Sequence, residues 1–290
     1  MMPTVDQMIR ARAKGLGGIP YWVVEKDYAI SYLLAGIARI DCLSEGLILK
    51  GGTALSKFYF ENYRFSEDLD FTLSQAFQGM EVGEAMEQAL RAMEVLLQEH
   101  GPFRVQSERL MLREPHPGGQ EAFVVRVQFP AHREALCRLK VEITADEQVI
   151  LPPERRSLRH RFPEAVDAML WCYPLEEIVA EKLRAILQSR TRLRERGWGA
   201  SRVCRDYYDL WRILSDGGLR KDLLPSLVTQ KCVHRDVAFE SPLDFFASAL
   251  LETARAEWEH QLRPFVPDCP AVEYVIEELQ PWVVSLWRDV

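Results

Sequence analysis

Asp68 and Asp70 stand two apart in Asp68-Leu69-Asp70-Phe71, a short distance after Gly51-Gly52, which itself follows the apolar run Leu47-Ile48-Leu49. On a strand, alternate side chains share a face, so this spacing puts both carboxylates on one side and Leu69 and Phe71 on the other, toward a core. Two carboxylates on one face repel unless a cation lies between them. Hard oxygen donors beside a phosphate-bearing substrate favour Mg2+, with Mn2+ as the close substitute. The glycine pair breaks the apolar strand just before a helix-compatible stretch, Thr53–Phe60, and such a turn leaves backbone N–H groups free to bind phosphate oxygens. A Gly-Gly pair alone is an ordinary turn and an Asp-x-Asp pair alone is common on surfaces. Together they point to nucleotidyl transfer.

Three further groups extend the chemistry. Leu139, Val141 and Ile143 alternate with Lys140 and Glu142, so Glu142 projects from a strand either to solvent or into a cleft as a third carboxylate. In Leu175–Leu187 the apolar residues recur at helical spacing, and Lys182 falls within their arc while Glu177, Glu181 and Arg184 lie opposite. An ammonium on the packed side needs anionic company, or else its stem carries it to the rim. A triphosphate would be such company, with Lys182 offsetting charge on the leaving group. Val203–Leu214 is a second amphipathic helix, with Val203, Tyr207, Leu210, Trp211 and Leu214 as its stripe. Asp206 lies nearer that stripe and is the candidate to orient Lys182; Asp209, three residues on, is expected to serve only as a structural ion-pair partner. Tyr207, Tyr208 and Trp211 are expected in the core rather than as a base-stacking platform.

At these residues the chain resembles a known family. Lys50-Gly51-Gly52-Thr53-Ala54-Leu55 followed by Arg64-Phe65-Ser66-Glu67-Asp68-Leu69-Asp70-Phe71 is similar to the first signature of the AbiEii/AbiGii toxin family of nucleotidyltransferases. Lys140-Val141-Glu142 resembles its second element, Glu177–Leu183 its third, and Arg205-Asp206-Tyr207-Tyr208-Asp209-Leu210 its fourth; Val24–Tyr28 is similar to its opening helix. The likeness covers about residues 20–215. It implies an α+β fold, a minimal nucleotidyltransferase (DNA polymerase beta-like) mixed-sheet core with a C-terminal helical lobe. It also implies the toxin of a two-gene toxin–antitoxin or phage-defence system, restrained by a cognate antitoxin. Carried over by motif, Gly51, Gly52 and Thr53 would cradle phosphate with Lys50 and Ser66 beside them, and Asp68 and Asp70 would bind metal. Lys182 would be the triphosphate lysine and Asp206 its acidic partner, with Glu142 in the place of a third metal-binding carboxylate. Thr53 stands where serine is common and keeps the hydroxyl. The long loop from Gly52 to Asp68 leaves room for Lys57 and Arg64 to approach the nucleotide. Some relatives transfer nucleotides to the acceptor end of transfer RNA.

The elements that must position these groups can be placed coarsely. A helix is expected over Tyr21–Ile37 and another over Glu81–Leu97, with strands near Phe103–Leu112, Phe123–Phe129 and Leu136–Ile143 and a loop at Glu114–Gln120. Pro152-Pro153 marks a tight connection after which helical patterning dominates. We therefore expect a nucleotidyltransferase core over residues 1–150 and a mainly helical lobe over 151–290. A cleft between them would bring Asp68, Asp70 and Glu142 opposite Lys182 and Asp206.

With 290 residues, 48% of them hydrophobic, the chain is long enough to bury a sizeable core, and its net charge of -7 argues against a generic nucleic-acid coat. Two arginine-rich tracts qualify this: Arg155, Arg156, Arg159 and Arg161 with His160, and Arg190, Arg192, Arg194, Arg196, Arg202 and Arg205 around Gly197-Trp198-Gly199. They could neutralise an RNA backbone locally or form solvated surface. The six cysteines are scattered without a CxxC pair, and the six histidines show no zinc-ligand spacing. No signal sequence or long apolar span is visible, which predicts a cytoplasmic protein without a membrane partner. The leading expectation is transfer of a nucleoside monophosphate from an NTP to an RNA 3′ hydroxyl, with transfer RNA the expected acceptor and pyrophosphate released. The alternatives are nucleotidylation of a protein or small-molecule hydroxyl, and a non-catalytic nucleotide sensor that binds the antitoxin.

Overall fold

A computed structural model describes residues 3–110 and 119–288. Of the loop expected over Glu114–Gln120, residues 114–118 lie outside the described residues, as does the end of the strand expected to reach Leu112, and Gln120 already belongs to a strand. The chain divides into two compact units, one of residues 1–147 and 153–173, the other of residues 148–152 and 174–290.

The first unit begins with helices α1 (Val5–Gly15), α2 (Tyr21–Ala38) and α3 (Asp41–Gly46), then strand β1 (Leu47–Lys50). Helix α4 (Gly51–Ala54) continues without a break as a π-helical turn over Leu55–Tyr59, and β2 (Asp68–Leu73) and α5 (Val82–Gln98) follow. Strands β3 (Arg104–Leu110), β4 (Gln120–Gln128), β5 (Cys137–Thr144), β6 (Glu154–Ser157) and β7 (Met169–Cys172) complete the unit. They form one seven-stranded sheet in the order β3-β4-β5-β2-β1-β7-β6. β1 runs antiparallel to β2 and parallel to β7, while β2 runs parallel to β5, so the sheet is mixed and the α+β expectation is met. β2 alternates as its sequence requires: Leu69 and Phe71 are fully buried while Asp68 and Asp70 are half-buried. β5 does the same, with Leu139, Val141 and Ile143 buried and Lys140 and Glu142 half-buried. α2 is buried along nearly its whole length and packs on α5 and on the sheet, which explains why its polar residues Glu25, Asp27 and Ser31 need partners of their own.

β6 and β7 correct the expectation that helix takes over directly after Pro152-Pro153. Each is four residues long, and Glu154-Arg155-Arg156-Ser157 has no apolar alternation, so no sequence periodicity marks it; its pairing with β7 defines it. Tyr173 extends the attachment, donating its N–H to the Leu49 carbonyl at 2.9 Å.

The second unit is helical: α6 (Leu175–Arg196), α7 (Val203–Ser215), α8 (Leu224–His234), α9 (Ser248–Leu262) and α10 (Val272–Ser285). α6 packs on α7, α8 and α9, and α7 packs on α9 and α10. Tyr207 and Tyr208 are buried as expected, with Tyr207 stacked on Phe246 and its hydroxyl donating to the Phe245 carbonyl at 2.6 Å. Glu177 departs from expectation: it is fully buried rather than on an open face of α6. Its carboxylate takes the Lys231 ammonium at 2.7 Å and the backbone N–H groups of Ile150 and Leu151 at 2.8 and 2.7 Å. Lys231 also donates to the Gln148 carbonyl. α8 and the 148–152 segment cover the face that helical periodicity marks as polar, and a buried carboxylate there is tolerable because every partner is supplied. Among the described residues no helix is long and apolar enough to cross a membrane.

Candidate active site

The first cluster is built on three neighbouring strands. In the parallel β2–β5 pair, Asp68 sits opposite Lys140 and Asp70 opposite Glu142; in the antiparallel β1–β2 pair, Lys50 sits opposite Asp70. Lys50, Asp70 and Glu142 thus occupy one row across the sheet, where directly opposed side chains are near enough to interact. Two carboxylates opposite each other are unfavourable unless compensated. Glu142 is compensated locally: its Oε1 accepts from Lys140 Nζ at 2.8 Å and from Gln120 Nε2 at 2.6 Å. Lys50 lies 3.6 Å from Glu147 and over the Tyr173 ring.

The glycine turn is pressed against the same place. Gly51 has φ +70, and a Cβ there would stand 3.0 Å from Asp70 Oδ2. A side chain at this position would be strained in its backbone and would push on the carboxylate. A Cβ at Gly52 would come within 2.6 Å of Arg64 Nη2 and 3.2 Å of Ser66 Oγ. Gly51 is required by its backbone conformation, a side chain at Gly52 would displace the Arg64 guanidinium, and the structure brings Gly51, Gly52, Arg64, Ser66 and Asp70 together. Arg64 is buried, and its Nη1 donates to the Phe65 carbonyl at 3.1 Å. The Thr53 hydroxyl, expected at phosphate, instead donates to the Asp68 carbonyl and ties the first turn of α4 to the start of β2.

Lys57 is placed elsewhere. Its side chain is 1% exposed, and its ammonium contacts Asp27 Oδ1 at 2.7 Å, the Asp27 carbonyl at 2.9 Å and Ser31 Oγ at 2.9 Å. Arg161 approaches the same carboxylate at 3.8 Å, and burial, partly offset by Asp27, pushes the Lys57 ammonium down to about 8. This lysine is part of the packing between α2 and the π-helical turn, and no face of it is open to a nucleotide.

The second cluster lies wholly in the helical unit. The Lys182 ammonium is 2.9 Å from Asp206 Oδ1 and 2.6 Å from Asp209 Oδ2. Asp206 pairs with Lys182 as expected, but Asp209, fully buried, makes the shorter contact. The signal for Asp209 was Ile213, also fully buried. It lies between the two aspartates around the helix circumference and widens the packed arc to include both.

The two basic tracts differ. Arg155 pairs with Glu45 at 2.8 Å, Arg156 with Glu154 at 2.8 Å, and Arg161 donates to the Ser56 carbonyl at 2.8 Å, so most of the first tract is engaged within its own unit. In the second, Arg192, Arg194 and Arg196 are exposed.

Among the described residues no group of three or more His, Cys, Asp or Glu side chains forms a metal-holding set. Asp68 and Asp70 nevertheless supply two hard oxygen donors on one face, and magnesium is commonly held by one or two carboxylates with water and substrate phosphates completing its shell. The donor set fits such an ion. A family model described as nucleotidyl transferase AbiEii toxin, type IV TA system, matches residues 33–280. The match runs well past residue 215, where recognisable motifs end, and begins after the Val24–Tyr28 segment. No curated protein matches the chain.

Proposed function

The chain belongs to the AbiEii family of nucleotidyl transferase toxins of type IV toxin–antitoxin systems, and from that premise we propose that it transfers a nucleoside monophosphate from an NTP to the 3′ hydroxyl of an RNA, with transfer RNA the favoured acceptor. The family itself makes the chain a nucleotidyltransferase and a toxin with an antitoxin partner. The observation that supports the transfer chemistry in this reading is the row in which Asp70 lies opposite Glu142 and against the Gly51-Gly52 turn; the RNA acceptor rests on the family resemblance.

In this reading the 3′ oxygen bonds to the α-phosphorus in line as the bond to the β-phosphate oxygen breaks, and pyrophosphate leaves with the electron pair. Asp68 and Asp70 would hold the metal. A bound magnesium, or manganese in its place, supplies the charge that lowers the hydroxyl pKa and offsets the departing pyrophosphate. Backbone N–H groups of the glycine turn bind phosphate oxygens, with Arg64 and Ser66 beside Gly52 and Lys50 in the adjoining row. Thr53 fixes the turn to β2. Glu142, whose Oε1 is held by Lys140 and Gln120, would reach the metal through its other carboxylate oxygen. The family motif would make Lys182, paired with Asp206 and Asp209 within the helical unit, the phosphate-neutralising cation. The antitoxin opposes this activity, and a role in phage defence follows from that pairing.

The test is incubation of the full chain with total cellular RNA, magnesium or manganese, and each labelled NTP in turn, followed by sequencing of labelled 3′ ends. Label on RNA 3′ ends that disappears in Asp70→Asn is expected. Label that survives ribonuclease and resides on protein would overturn the RNA acceptor, and NTP binding with no pyrophosphate from any acceptor would overturn catalysis.

A further inference from the structure

The first fourteen or so residues of α6 carry its packing, and its last turns do not. Its buried residues run from Glu176 to Ser189, and from Arg190 onward none is buried until Ala200. The exposed end carries Arg192, Arg194 and Arg196, followed by Trp198, which is 68% exposed. Gly197 caps the helix at φ +75, Gly199 follows at φ +95, and a Cβ at either would meet nothing within 4 Å. Trp198 is thus presented on a short two-glycine loop with open space on both sides.

The surrounding arginines show the contrast. Arg190, one step earlier, pairs with Asp244 at 2.9 Å, and Arg205 lies over the Phe265 ring at 4.7 Å. Arg192, Arg194 and Arg196 make no ion pair or ring contact among the described residues. Cations at a helix C-terminus offset the backbone dipole and need no ligand to explain them. That account covers the charge; what it does not address is the indole that follows the arginines, on a residue 68% exposed.

Resting on the RNA-acceptor reading above, we propose that this helix end is a docking point for a single-stranded stretch of the acceptor RNA, with arginines on phosphates and a base stacked on Trp198. Single-strand binding combines a positive track with sequence-tolerant aromatic stacking, and the chemistry here has both parts. At 100° per residue Arg192 and Arg196 share one side of the helix and Arg194 points away, so the charge surrounds the tip rather than forming a flat patch. A single ring that follows three exposed arginines and one exposed carboxylate, Glu195, lacks the apolar centre of a protein–protein interface, which favours RNA over the antitoxin. On a chain of net charge -7, this is a local reversal of sign that would steer a polyanion.

The experiment measures affinity of the full chain for two probes, a labelled single-stranded oligoribonucleotide and bulk transfer RNA, between 50 and 200 mM salt. R192Q/R194Q/R196Q and its Glu counterpart are compared with wild type, the Gln form serving if the Glu form loses helix stability. The log–log salt slope is expected to fall by about 2, as for three single-strand phosphate contacts, with affinity at low salt falling about tenfold or more. W198A is expected to weaken binding about tenfold, and W198F to restore most of it. Unchanged affinity and slope in the triple variants, while wild type still labels RNA, would overturn the docking point and leave the acceptor reading intact. Wild type that labels only protein would overturn the acceptor reading itself, whatever the variants do. Variants that keep RNA affinity but lose antitoxin binding would reassign the tip to a protein contact.

Discussion

Two buried lysines, one in each unit, face aspartate and do opposite things with it. Lys57 shares Asp27 with Arg161, and Arg12 adds a further positive field, so cations outnumber the carboxylate in that part of the sheet unit. Lys182 contacts two carboxylates, Asp206 and Asp209, in the helical unit. An ammonium sealed at 1% exposure and driven to about 8 is a packing device. One held between paired aspartates is a charge fixed in direction, which suits a polyphosphate.

The sharpest way to break this comparison is to delete each ammonium. Lys57→Met leaves Asp27 charged and buried against the more distant guanidinium groups, and is expected to remove about 3–5 kcal/mol of stability in denaturant unfolding. NTP affinity of the folded fraction should be unchanged; a variant that stays stable but cannot bind NTP would reverse the roles. Lys182→Ala is expected to reduce nucleotide transfer by about 10²–10³-fold, roughly 2.7–4 kcal/mol of transition-state stabilisation, measured in single-turnover assays. Near wild-type transfer would sink its assignment. Asp209→Asn keeps the shape and removes one of the two charges on Lys182, and is expected to lower stability by about 1–3 kcal/mol while transfer falls less than in Lys182→Ala.

The smallest effect concerns pH and the aromatic surroundings of the buried Lys57–Asp27 pair. His160 packs edge-on to Tyr28 and Tyr32, lies 3.4 Å from Glu164 and feels the opposed charges of Lys57 and Asp27. Burial holds its imidazole below the ordinary value of 6.5, against the pull of Glu164. The native state therefore binds fewer protons than the unfolded chain. Its contribution is present above pH 6.5 and is lost as pH falls from there through the folded value, by up to about 1.4 kcal/mol per pH unit. Unfolding midpoints recorded from pH 7.5 to 5 should decline in wild type and flatten in His160→Phe; equal slopes would remove His160 from the account.

Legibility in the sequence followed range. Asp68-Leu69-Asp70-Phe71 was readable because the two-residue period is local, and the burial of β2 follows it residue by residue. The Gly51-Gly52 turn was readable for the same reason, but the groups that a side chain at either place would meet, Asp70, Arg64 and Ser66, are brought in by later chain. Lys57 was drawn toward the nucleotide by its nearness in sequence to that turn, until α2 supplied Asp27. Glu177 was placed on an open face because periodicity sees one helix and not the α8 residue, Lys231, that closes over it. β6 was invisible since an arginine-rich edge of four residues has no pattern before it pairs.

Residue types and local periods alone determined that this chain carries a glycine turn, a carboxylate strand and a lysine on a packed helix face. The four ordered motifs, also properties of the string, carry the resemblance to the family that the match over residues 33–280 shows. Tertiary structure decided which charges oppose which: Asp70 beside Glu142, Lys182 beside Asp209, Lys57 sealed against Asp27. The physical reason is that side-chain direction is set by bonds to neighbours in sequence, whereas desolvation and Coulomb partners are set by segments far along the chain that only folding brings within a few ångströms.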